Sequence, residues 1–199
     1  MSNFWDERFS LEEYVYGTKP NVYFKTQLDK LKTGKILLPC EGEGRNAVYA
    51  AIKGWQVDAF DTSIEGKKKA LNLAEKSGLS IRYDILSAVD YKPEPIYDAV
   101  GLTFCHFPPE IRGDIHKAAA DSLLPGGIII LEAFNKKQIG LESGGPKDIN
   151  MLFSISDLKN DFSNLEILQL EECTDKLDEG AFHSGEAHLI RLLAKKKAS

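Results

Sequence analysis

Apolar residues recur along this chain in two spacings that alternate with each other. Ile36, Leu37 and Leu38 form an unbroken apolar run, the mark of a parallel strand buried on both faces. Residues 45–53 carry Ala47, Val48, Ala50, Ala51 and Ile52 on a helical face, and Gly54 ends that helix. Val57, Ala59 and Phe60 begin a second strand that closes on Asp61. Thr62 or Ser63 then caps a helix through Ala70, Leu71, Leu73 and Ala74, with Gly78 after it. Residues 80–83 read as a third strand closed by Asp84, and residues 97–104 as a fourth. A helix runs from Pro108 and Pro109 to about Leu124. The turn Pro125-Gly126-Gly127 leads into an apolar fifth strand over 128–134. Ahead of all these, Pro20 opens a helix reaching about Leu31. Strands and helices in strict alternation predict a parallel sheet.

The last third breaks the pattern. Residues 136–151 hold Gly140, Gly144, Gly145 and Pro146, which predicts a long mobile loop on the ligand side. A helix over 154–162 follows, then two strands, 165–177 and 187–194, joined closely enough to pair antiparallel. The expected fold is a doubly wound, Rossmann-like α/β domain. It has seven mostly parallel strands ending in a hairpin and helices on both faces, in one domain over 1–199.

Composition narrows the class. With 199 residues, 43% hydrophobic and 28% charged, the chain can bury a proper core as an ordinary soluble protein. A net charge of −5 argues against nucleic acid or an anionic membrane as partner. No apolar run reaches membrane-spanning length, and the acidic start MSNFWDERF does not read as a signal peptide. Cys40, Cys105 and Cys173 are scattered, with no metal-type spacing, and point to a reducing, cytoplasmic setting. Monomer and homodimer both remain open.

The chemistry gathers after the first strand. Gly42-x-Gly44-x-x-Ala47 lets backbone approach a ligand, and Asp61 ends the next strand, where an acid meets ribose hydroxyls. The spacing satisfies the dinucleotide fingerprint, so a nicotinamide-binding oxidoreductase is one reading. Glu41 and Glu43 flank Gly42, however, and two carboxylates repel a pyrophosphate. A cationic nucleoside fits better: S-adenosylmethionine carries a sulfonium, an ammonium and one carboxylate. Arg45, at the helix start, is a partner for that carboxylate. The plainer alternative leaves both glutamates in solvent. Asp84 can accept from an adenine amino group with Ile85 packing on the ring, unless Asp84 is only a turn residue. Thr62 beside Asp61, and Cys105 at the carboxyl end of the fourth strand, complete the expected cofactor contacts.

The leader, residues 1–18, is rich in aromatics. It reads as a short helix over 3–9 and then a loop to Gly17. Its rings either pack the leader onto the domain or make it a lid in which Tyr14 or Tyr16 faces the reacting methyl group. His106, beyond the fourth strand, is the first candidate for a general base, against a structural histidine held by backbone. His183, in the hairpin loop, and His188, inside a strand, come after it. No metal-ligand set and no nucleophile–histidine pair is legible.

Taken together, these motifs resemble class I S-adenosylmethionine-dependent methyltransferases, and within them the tellurite-resistance and thiopurine methyltransferase-like branch. GEGRNA (Gly42 to Ala47), Asp61, the region from Tyr97 to Phe134 with its Pro-Gly-Gly turn, and FWDERF, YGTKPN and DEGAFHSGEAHLIRLLAKK carry the likeness. It implies methyl transfer from S-adenosylmethionine to a small-molecule acceptor, possible acceptors being a thiol or a chalcogen oxyanion. A non-catalytic domain that binds the same nucleoside is a further alternative. Two positions depart from the pattern. Leu38 stands where the branch often has an acid, and Cys40 replaces the first glycine of the turn. Cysteine is tolerated there if the backbone needs no positive φ. With Leu38 in place of the acid, turn carbonyls or Glu41 would have to meet the methionine ammonium.

Overall fold

The computed structural model describes residues 2–198. The strands are β1 (Lys35–Pro39), β2 (Gln56–Asp61), β3 (Arg82–Ile85), β4 (Tyr97–Thr103), β5 (Leu123–Phe134), β6 (Glu166–Asp178) and β7 (Ser184–Lys195). They form one seven-stranded sheet in the order β3-β2-β1-β4-β5-β7-β6. β1 to β5 pair in parallel; β7 runs antiparallel between β5 and β6. This is the expected mostly parallel sheet ending in a hairpin, with β7 folded back inside β6.

The apolar run of β1 explains why both faces are covered. Ile36 and Leu38 point into a core with Phe24, Leu28, Ala47, Ala50 and Ala70, from helices α2 (Val22–Leu28), α3 (Arg45–Ile52) and α4 (Ile64–Lys76). Leu37 points into the other core, with Ala119, Ala120 and Leu158 from α5 (Pro109–Asp121) and α6 (Ile155–Asp161), and Phe162 at the C-cap of α6. Fully buried side chains such as Phe24, Phe134, Phe153 and Phe162 each stabilise the fold by roughly 1.5–3 kcal/mol.

Several boundaries differ from the sequence reading for local reasons. Pro20 lies outside α2: Asn21 is the N-cap, its side chain accepting from Phe24 N, so the helix begins two residues later, at Val22, and ends at Leu28. Ser63 rather than Thr62 caps α4. α5 stops at Asp121, because β5 already begins at Leu123 and carries the Pro-Gly-Gly turn as an irregularity in its pairing with β4. The loop over 136–151 is pinned rather than free. Gln138 Nε2 donates to Ser143 Oγ at 2.9 Å and to Gly144 O at 3.1 Å, and Ser143 Oγ donates to Glu186 O at 2.5 Å. The fifth strand is not purely apolar either: Glu132 sits buried in its middle, facing Arg191 across the ladder at 2.5 Å.

The strand order reverses between β1 and β4, so the crevice at their carboxyl ends is where a doubly wound sheet places its ligand.

Candidate active site

Backbone geometry at those two strand ends is unusual. Cys40, just beyond β1, has φ 53°, and Phe104, just beyond β4, has φ 54°. Left-handed backbone at non-glycine residues concentrates at functional sites. The condition under which cysteine would be harmless at position 40 is therefore not met. The turn continues through Gly42 (φ 60°) and Gly44 (φ 87°), the latter acting as N-cap of α3. A Cβ on Gly44 would lie 2.5 Å from Ala70 Cβ, so glycine is needed there to seat α3 against α4.

The turn is tied down on three sides. Glu41 N donates to Phe60 O at 3.2 Å, Gly42 N to Asp61 Oδ2 at 3.1 Å, and the Tyr83 hydroxyl to Gly42 O at 2.6 Å. Asp61 also accepts from Ser63 N at 2.9 Å and from Thr62, and burial raises its pKa. Its side chain is mostly buried, with each oxygen keeping lone-pair capacity. The β2–β3 register sets Asp61 beside Ile85 and Phe60 beside Asp84. Asp84 and Ile85 are exposed, and Asp84 pairs with Arg82 at 3.1 Å. Cys105 is buried, donating from Sγ to Pro39 O at 3.2 Å, so it abuts β1 beneath the turn.

The two turn glutamates part company. Glu41 Oε1 accepts from Ala47 N at 2.7 Å, and burial raises its pKa to about 7. Its carboxyl therefore lies on the first turn of α3, where a dinucleotide pyrophosphate would need to sit. Glu43 is buried and points away from the crevice. It accepts from Val15 N at 2.8 Å and Tyr16 N at 3.4 Å, and pairs with Lys69 at 2.8 Å. Glu43 is thus the clamp that holds the leader down. Asp6 adds a second fastening, accepting from Ser63 Oγ at 2.6 Å. Helix α1 (Ser2–Phe9) brings Phe9 over the turn, so that a Cβ on Gly42 would lie 3.0 Å from the Phe9 ring.

At two expected site residues the side chains already have partners within the protein. Arg45 donates to Glu179 Oε2 at 2.9 Å and to Tyr16 O at 3.3 Å, so its guanidinium is committed within the protein. His106 has both ring nitrogens engaged by backbone. Phe134 N donates to Nε2 at 3.2 Å, which places the proton on Nδ1, facing Met151 O at 2.8 Å. Burial lowers its pKa to about 4. With no free lone pair, His106 cannot serve as a base.

The histidine left open is His183. Its ring lies 4.5 Å from Tyr16, 4.4 Å from Phe104 and 5.3 Å from Phe134. Nδ1 is buried without a hydrogen-bond partner, 3.5 Å from Glu179 Oε2, and Gly144 backs onto the ring edge, where a Cβ would meet Cδ2 at 2.6 Å and Nε2 at 3.1 Å. Burial lowers the His183 pKa. At Glu179 burial pushes upward, but His183 and Arg45 prevail and hold it at about 2. Tyr16 is raised by burial, and its hydroxyl accepts from Arg8 Nη1 at 3.1 Å, with Arg8 lying over Phe182 at 4.3 Å. Glu179, Glu132 and Asn21 were missed by the sequence reading. The signals were an acid inside the apolar run IIILEAF and the i, i+4 pair Glu179/His183 around Gly180. Among the described residues no cluster of metal-ligating side chains occurs, and no helix is long and apolar enough to cross a membrane.

Comparison with known proteins agrees with this geometry. A search of curated protein sequences gives no match. Among solved structures, the chain is similar to TehB from Haemophilus influenzae (TM-score 0.72, 19% identity, covering 98% of this chain and 67% of that one). It is also similar to an S-adenosylmethionine-dependent methyltransferase from Methanosarcina mazei (TM-score 0.71, 17% identity, 91% and 100%). A third similar structure is that of a protein described as converting a disulfide bond into a thioacetal group during echinomycin biosynthesis (TM-score 0.79, 16% identity, 99% and 92%). The family model described as tellurite resistance protein TehB matches residues 6–191. The chain therefore belongs to the TehB family and is a class I S-adenosylmethionine-dependent methyltransferase.

Proposed function

We propose that this enzyme methylates a small, soft acceptor, a thiol or a chalcogen oxyanion, beside the glycine turn and close to Tyr16 and His183. The carrying observation is His183: its ring is set among Tyr16, Phe104 and Phe134, with Nδ1 3.5 Å from Glu179 Oε2. The cofactor fits the donor set of the turn. Asp61 is available to the ribose hydroxyls, Glu41 to the methionine ammonium, and Asp84 and Ile85 to the adenine. When bound, S-adenosylmethionine supplies an activated methyl group on a sulfonium. The enzyme's share is chiefly to hold the acceptor in line with it. His183 Nε2 takes the proton of a neutral acceptor as the new bond to methyl forms, and Glu179 supports the imidazolium. An acceptor already anionic needs no base. For it, Arg8 at the Tyr16 hydroxyl offers a cation. The leader, clamped by Glu43, excludes water above the turn.

The family's description as a tellurite resistance protein, and the sulfur chemistry named for one structural neighbour, are consistent with a soft acceptor. Glu41 on the first turn of α3 disfavours a nicotinamide dinucleotide. The test is calorimetric titration with S-adenosylhomocysteine and NAD, followed by turnover of S-adenosylmethionine with dithiothreitol, selenite and tellurite. Binding of the first nucleoside alone, with turnover on at least one of these acceptors, is expected. Binding of NAD, or no turnover with any of the three, overturns the reading.

A further inference from the structure

Asn21 has only 1% of its surface exposed and uses every polar atom of its side chain. Oδ1 accepts from Phe24 N at 2.8 Å and caps α2. Nδ2 donates to Glu132 Oε1 at 2.6 Å and to Glu179 Oε1 at 3.0 Å. A carboxamide nitrogen carries two hydrogens, so both are spent on carboxylates, one from β5 and one from the hairpin loop. The far oxygen of each acid is held by an arginine. Arg191 Nε donates to Glu132 Oε2 at 2.5 Å, and Arg45 Nη2 donates to Glu179 Oε2 at 2.9 Å. The result is an alternating hydrogen-bonded chain, Arg191, Glu132, Asn21, Glu179, Arg45, whose Glu179 Oε2 lies 3.5 Å from His183 Nδ1.

Capping alone does not account for asparagine here. Ser, Thr or Asp would cap α2 as well. None of them offers two N–H donors, and Asp would set a third carboxylate against two buried ones. What only the carboxamide supplies is simultaneous donation to Glu132 and Glu179.

We propose that Asn21 is a positioning residue for the transfer step: it fixes the Glu179 carboxylate so that Oε2 faces His183 Nδ1, which keeps the imidazole proton on Nδ1 and the lone pair on Nε2. This rests on the reading of His183 as the base given above. The charged and titratable groups around His183 are Glu179 from its own loop, Arg45 from α3, Arg8 and Tyr16 from the leader, and His106 from the end of β4. Glu179 is the group among them that favours the imidazolium; Arg45 and Arg8 oppose it. When Asn21 no longer holds Glu179, the His183 titration midpoint falls.

The experiment is a ¹⁵N imidazole NMR titration of the full chain, with the His183 resonance assigned by its loss in His183→Gln. In the wild type the Nδ1–H tautomer is expected. In Asn21→Ser, which keeps a cap, the signals shift toward a mixture of tautomers and the midpoint drops by about half a unit or more. An unchanged tautomer and midpoint in Asn21→Ser overturn the proposal. If Asn21→Ser does not fold, Glu179→Gln reads the same link from its other end, with the same expected and overturning results. The base assignment is judged separately. Wild-type turnover of selenite or dithiothreitol by His183→Gln would remove that role without touching the tautomer result.

Discussion

If Glu41 meets the methionine ammonium as proposed, cofactor binding should depend on pH. The Glu41 carboxyl is raised by burial from 4.5 to about 7 in the protein without ligand. The charged form is thus the penalised one, and protonation is cheap near neutrality. By linkage, its contribution to folding stability is fully present below 4.5 and is lost as pH rises through about 7. A methionine ammonium placed against this carboxyl reverses the preference and returns the pKa toward its ordinary value. Binding then expels the proton that Glu41 carries, about half a proton per site at pH 7.

The affinity change follows from the same two values. Between pH 5.5 and 7 the neutral fraction of Glu41 falls from nearly all to about half. The dissociation constant for S-adenosylhomocysteine should drop by about 15-fold over that interval. The window lies below the titration of a free α-amino group, so the ligand keeps its charge throughout. Calorimetry at pH 7 in buffers of different ionisation enthalpy counts the released proton directly. Glu41→Gln can still accept from Ala47 N but cannot titrate. It should bind with no buffer dependence and a nearly flat profile across the window. If Glu41→Gln keeps the full pH dependence, or if the wild type releases no proton, the ammonium is not at Glu41.

Four further outcomes are expected. Asp61→Ala should weaken S-adenosylhomocysteine binding by about 1–3 kcal/mol in a still-folded protein, since charged hydrogen bonds are lost; unchanged affinity by calorimetry would remove Asp61 from the site. Cys40→Gly should raise the melting temperature, by an amount equivalent to about 1 kcal/mol, because glycine adopts φ 53° without a Cβ penalty. Gly144→Ala should lower it by the equivalent of about 2 kcal/mol or more, since the new Cβ meets His183 Cδ2 at 2.6 Å and Phe182 O at 2.8 Å with φ at 126°. Glu43→Ala should expose the leader to limited proteolysis, because Val15 N and Tyr16 N lose their acceptor and Lys69 its ion pair; a cleavage rate equal to the wild type would mean that Glu43 is not the clamp.

How much of this was legible in the sequence depended on how local the cause was. Strand β1, α3 and β2 read correctly because an unbroken apolar run, a helical face and a terminal glycine are each complete within about ten residues. The crevice of the doubly wound sheet was legible for the same reason, since a glycine turn follows one strand and an acid ends the next. The roles of individual charges were not. Glu41 and Glu43 look alike in the string GEGRNA and its preceding acid, yet one faces α3 and the other the leader. Only the path of residues 2–17, folding back over the turn, separates them.

The same reasoning explains why His106 was preferred over His183. Position at the end of a central strand is a local feature, and it favoured His106. Whether a nitrogen is free is a property of the assembled fold. His106 is sealed by the backbone of residues 134 and 151, whereas His183 is supported by a chain whose links span 111, 158 and 134 residues. A buried acid in an otherwise apolar strand was the one trace of that chain left in the sequence. Glu132 could not remain in the core of β5 without a donor, and a donor to it had to come from elsewhere in the molecule. Arg191 supplies one side and Asn21 the other, and because Asn21 has a second hydrogen, satisfying the core acid also fixes the acid beside His183. Substitutions at position 21 should therefore disturb both the core acid of the strand and, if His183 is the proposed base, the acid beside it.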